Sequence, residues 1–148
     1  MGWAIQVARG NPDAPFGAVI ADHDTGEILS EGLNDARRSP VLHGETDAIL
    51  RFADTRPDAD WTRLTLYTTA EPCPMCAGAI LWSRIPRLVF GTSVRTLKEL
   101  GLPQIDLPAR EVADRASPSF GELEITGGVL EEECDALFRE LASRSGTA

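Results

Sequence analysis

Cys73 and Cys76 stand in "PCPMC", with two residues between them, where a β-rich run gives way to a helix-like one. Sulfurs at this spacing can reach one metal ion from a first helical turn, and the positive end of the helix favours thiolate over thiol. A third ligand must come from elsewhere. Of the two histidines, His23 falls in a short polar turn, whereas His43, in "LHGETDAIL", opens a second helix-like stretch and is the natural partner. One histidine and two cysteines make three protein ligands. A structural zinc site normally closes with four, while a catalytic zinc keeps one position for water and lowers its pKa to about 7. Glu45, two residues beyond His43, is placed to move protons without binding the ion.

Other readings of the same residues exist. A CxxC pair can be a redox dithiol, but that chemistry does not need the HxE, and no second cysteine pair supports it. A purely structural zinc needs a fourth ligand. The remaining cysteine, Cys134, falls on an apolar helical stripe and reads as core. A non-catalytic, zinc-stabilised binding module is the alternative of a different class.

These side chains need a frame. "FGAVIADHD" and "GEILSEGLND" read as two strands joined by a turn at Asp24, Thr25 and Gly26. "GETDAILRFAD" puts Ala48, Ile49 and Phe52 on one helical stripe. "RLTLYTTA" reads as a strand that stops at "EPCP", since proline cannot continue a ladder. "PMCAGAILWSRI" is a helix with Pro74 at its first position, and "RLVFGTS" a further strand. Residues 94–120, with three prolines, carry no clear period. "ELEITGG" is a last strand, and "VLEEECDALFRELASR" a last helix with Leu130, Cys134, Leu137, Phe138 and Leu141 in register. Alternation of this kind predicts an α/β fold, a three-layer α/β/α sandwich with helices on both faces of a sheet whose later strands are parallel.

Size and charge narrow the partners. At 148 residues the chain fits a single domain over 1–148, and no apolar run approaches the roughly 20 residues that span a bilayer. Three cysteines and no signal-peptide pattern lead to the expectation of a reduced, cytoplasmic protein without a membrane role. A net charge of −9 disfavours a large nucleic-acid footprint, which depends on lysine and arginine at phosphates. Arg37 and Arg38 read as part of a solvated loop.

The H-x-E and P-C-x-x-C pattern is the signature of zinc base deaminases. The chain resembles the cytidine-deaminase-like superfamily, in its branch of guanine deaminases, fungal-type cytosine deaminases and bacterial tRNA adenosine deaminases, from about Pro15 to Gly91 and again at "ITGGVLEEECDALF". The resemblance implies zinc on His43, Cys73 and Cys76, Glu45 as proton shuttle, five strands in the sheet and a homodimer or larger assembly. It also implies a substrate-binding set: Phe16 in "PFGAVI", Asn34 at the end of the second strand, Trp82 six residues after the second cysteine, and Gly44, where alanine is more usual. The expected substrate is a small aminated purine or pyrimidine, base or nucleoside, guanine-type first and cytosine-type second. tRNA adenosine deamination is the alternative, since "SRIPRLVFG" and "GGVLEEEC" look like that branch, whereas "SVRTLKELGLPQIDLP" lacks its Gly-rich loop.

Overall fold

The computed structural model describes residues 1–145, so the last three residues of the expected 1–148 domain lie outside the described residues. After a short helix α1 (Gly2–Ala8) come the hairpin strands β1 (Gly17–Asp22) and β2 (Ile28–Leu33). Asp22 closes their turn by accepting the N–H groups of Asp24 and Thr25 at 3.0 and 2.9 Å. Gly26 supplies the positive φ of +72° that the turn requires. β2 is an edge strand and alternates buried with exposed positions at Ser30, Glu31 and Gly32; β1 is internal and buried along almost its whole length.

Next follow α2 (Gly44–Thr55), β3 (Leu64–Ala70), α3 (Pro74–Trp82), β4 (Arg87–Thr92), α4 (Val94–Glu99), α5 (Ala109–Asp114), β5 (Glu124–Thr126) and α6 (Glu131–Ser145). The sheet order is β2-β1-β3-β4-β5, with β1 antiparallel to β2 and β3, and β3, β4 and β5 parallel. The mixed five-stranded sheet expected from the sequence is present. α3 ends three residues earlier than the pattern through Ile85 implied, because Arg84 turns to φ +61° and Pro86 follows.

Helices cover both faces. Ala18, Ile20, Leu66 and Leu88 pack with Ala48 and Phe52 of α2, Ala77 and Ile80 of α3 and Ala109 of α5. On the opposite face a Cβ at Gly17 would lie 2.6 Å from Ala4 O in α1, and one at Gly91 would lie 2.3 Å from Cys134 Sγ in α6. The predicted apolar stripe of α6 is thus used: Cys134 and Phe138 are fully buried.

Residues 94–120 fold into two six-residue helices and a 3₁₀ turn at Pro118–Phe120. Ser93 starts α4 by accepting the Thr96 N–H at 3.0 Å. Each helix is less than two turns long, too short for an apolar period to be read from sequence.

Candidate active site

Two helix starts converge on one point. His43 is the N-cap residue of α2 and Cys73 that of α3, with Pro74 at the first helical position. Thr46 Oγ1 accepts the His43 N–H at 2.9 Å and donates to Val41 O, which fixes the entry of α2. The α2 start lies deep against the sheet because Gly32 and Gly44 have no side chains: a Cβ at Gly32 would meet Gly44 O at 2.0 Å, and one at Gly44 would meet Phe16 O at 2.5 Å.

His43 Nδ1 lies 3.6 Å from Cys73 Sγ and 3.5 Å from Cys76 Sγ, and the three donor atoms all fall within 4.8 Å of one another. A tetrahedron with Zn–N near 2.0 Å and Zn–S near 2.3 Å has N–S edges of about 3.5 Å. The donor set therefore fits a zinc ion. No fourth histidine, cysteine or carboxylate joins the group among the described residues.

The electrostatics agree with a cation site. The Cys76 thiol donates to the Cys73 sulfur and, with help from His43, draws Cys73 down to about 4. The same hydrogen bond pushes Cys76 upward, and the Cys73 thiolate holds His43 above its ordinary value. Protons are shared where a cation would replace them. Glu45, buried at the start of α2, has its carboxyl lifted above the usual range by burial, and Thr68 Oγ1 of β3 donates to its Oε1 at 3.1 Å.

Beside this group opens a cleft of about 540 Å³. It is lined by His43, Glu45 and Cys73, by Phe16 and Asn34, and by Pro103, Gln104 and Ile105. The Phe16 ring is backed by Phe138 of α6, with ring centroids 4.9 Å apart. Among the described residues, no lysine or arginine lines the cleft.

Of the residues expected at a substrate, Phe16 and Asn34 are brought to the cleft and two are not. Trp82 ends α3, eight residues beyond Pro74 and hence about 12 Å along the helix axis. The residue is 75% exposed, and its ring packs edge-on to Phe120. Gly44 does not line the cleft either; it is buried against the β1 backbone, so its contribution is the close approach of α2. Sequence reasoning missed Gln104 and Glu71. Gln104 sits in a proline-flanked loop with no period, whereas Glu71 carried a signal, an acid directly after an otherwise uncharged strand.

Comparison with known proteins gives concordant relatives. The model of the cytidine and deoxycytidylate deaminase zinc-binding region matches residues 1–92. A probable cytosine deaminase of Schizosaccharomyces pombe is 35% identical over 133 residues, covering 86% of this chain and 79% of its own. A tRNA-specific adenosine deaminase of Haemophilus influenzae is 40% identical over 124 residues, covering 82% and 67%. The structure of a guanine deaminase from Nitrosomonas europaea superposes with a TM-score of 0.80 at 25% identity, over 96% of this chain and 82% of that one.

Proposed function

The chain belongs to the cytidine and deoxycytidylate deaminase zinc-binding family, and from that membership we propose a zinc-dependent hydrolytic deaminase acting on an uncharged aminated purine or pyrimidine, as free base or nucleoside. The observation that carries the substrate class is the cleft lining: an aromatic face at Phe16, neutral amides at Asn34 and Gln104, and no basic side chain for a phosphate. A guanine-type ring comes first and a cytosine-type ring second, in line with the relatives named above. tRNA deamination is the weaker reading, because the lining and the net charge of −9 both lack what a phosphate backbone needs.

His43, Cys73 and Cys76 would hold the zinc. When bound, the ion supplies Lewis acidity that lets a water ionise near neutral pH. Glu45 would take a proton from the attacking water and deliver it to the ring nitrogen beside the amino-bearing carbon; it would then take the second proton, from the hydroxyl now on that carbon, and give it to the departing amine. Water oxygen replaces nitrogen on the ring, and ammonia leaves. The burial that lifts the Glu45 carboxyl makes it a weaker acid, and so a better proton acceptor, than a free carboxylate. Phe16 holds the ring flat, while Asn34 can both donate to and accept from its edge.

The deciding experiment measures ammonia released by zinc-loaded protein from guanine, adenine, cytosine and their nucleosides, with Glu45→Ala as the blank. Release from one ring supports the reading and names the ring. Silence on all of them, with zinc bound and a salt-sensitive affinity for a tRNA stem-loop, replaces it. We also propose a homodimer in a reducing cytoplasm, supported by the exposed Met75 and Trp82 on α3 and by three free cysteines; sedimentation of the purified protein tests the assembly.

A further inference from the structure

Glu71 lies two residues before Cys73, is 9% exposed and borders the cleft, as a second acid–base group would. Its oxygens are otherwise engaged. Oε2 accepts the N–H of Val94 at 2.9 Å, and Oε1 accepts the N–H of Ala109 at 2.9 Å. These are the first residues of α4 and α5, and both are buried. The Glu71 backbone N–H in turn donates to Thr92 O at 2.7 Å, at the end of β4. One side chain therefore grips both ends of the 94–109 segment and anchors it to the loop that carries the cysteines.

Between those two anchors the chain forms the cleft wall of Pro103, Gln104 and Ile105. Among the described residues it pairs with no strand. Leu102 N–H returns to Leu97 O, Leu107 N–H to Ile105 O, and Lys98 pairs with Asp106, while Leu97, Leu100 and Leu102 pack on Ala70 and Phe138. The two Glu71 hydrogen bonds tie that unit to the cysteine-bearing loop, and hydrogen bonds to a carboxylate are the stronger kind.

We propose that Glu71 is a positioning residue that sets the distance between the Gln104 wall and the His43–Cys73–Cys76 group, and so determines which ring the cleft admits. This rests on the deaminase reading above. Gln104 is the specificity residue through which Glu71 acts: its amide is the polar group of the wall and can be matched to, or against, a substituent on the ring edge.

The test is Glu71→Gln in the zinc-loaded protein. A glutamine can serve one of the two N–H groups but turns its own NH₂ toward the other. Zinc stoichiometry and the acid limb of the pH–rate profile stay as in the parent. KM rises about tenfold while kcat changes less than about threefold, and the ratio of kcat/KM between guanine-type and cytosine-type rings shifts. Amide exchange at Val94 or Ala109 quickens by at least about tenfold, a readout that needs no substrate. Gln104→Ala gives the same KM rise, and the double variant is no worse than either single one. Unchanged exchange at both amides overturns the clamp, and additive losses overturn its action through Gln104. If Glu71→Gln does not fold, a parent-like KM and ring preference in Gln104→Ala overturns the proposal. Failure of the parent on every ring would instead discard the deaminase reading, with the exchange result standing by itself.

Discussion

Thr68 Oγ1 donates a 3.1 Å hydrogen bond to Glu45 Oε1, joining the middle of β3 to the first turn of α2 with both side chains buried. The bond favours the ionised carboxylate and partly offsets the burial that raises its pKa.

Thr68→Val keeps the shape and removes the donor. Glu45 then moves further upward, so the acid limb of the pH–rate profile shifts to higher pH and kcat at neutral pH falls about tenfold. Zinc content stays at the parent value. A profile superimposable on the parent's would separate Thr68 from Glu45 function.

Glu45→Gln is nearly isosteric and deletes the proton carrier. Turnover should drop by about 10³ or more. Metal content, measured by atomic absorption, and the thermal midpoint should be undiminished, because a buried carboxyl with a raised pKa is a cost to the fold. Loss of the metal in this variant would make Glu45 a ligand instead.

Stripping the metal should sort the cysteines by chemistry. In metal-free protein at pH 7, Cys73, drawn down to about 4, is thiolate and is carboxymethylated first. Cys134, pushed to about 11 by burial and fully enclosed, stays unmodified. Reloading zinc protects Cys73. Peptide mapping by mass spectrometry reads all three, and equal labelling of Cys73 and Cys134 would contradict the site as described.

Gly32→Ala probes the seat of α2. Its new Cβ would meet backbone, Gly44 O at 2.0 Å and Ala48 N at 2.2 Å, so no side-chain rotation relieves it. A loss of about 1–3 kcal/mol in urea unfolding is expected, with weaker zinc retention because His43 rides on the same turn. Unchanged stability would mean that α2 slides freely over β2.

What the sequence disclosed depended on how local each signal was. His43, Glu45, Cys73 and Cys76 form two short patterns whose spacing carries their chemistry, and α2, α3 and α6 showed themselves through Phe52, Pro74 and Phe138 at helical intervals. The cleft wall did not. α4 and α5 span six residues each, and the loop between them is held by a carboxylate 23 and 38 positions upstream of its anchors, a relation no local period encodes. Trp82 shows the converse: six residues from a ligand in sequence, it sits at the far end of a rigid helix.

β3 and β4 are parallel neighbours, and each hands its chain to the cleft from its carboxyl end: β3 to Glu71 and the cysteines, β4 to the segment bearing Gln104. The His43–Cys73–Cys76 group with Glu45 and the Gln104 wall therefore arrive on separate stretches of polypeptide. A chimera that takes residues 95–108 from a relative leaves His43, Glu45, Cys73 and Cys76 untouched, and the graft needs both an acid at position 71 and an apolar side chain at 97 to pack on Ala70 and Phe138.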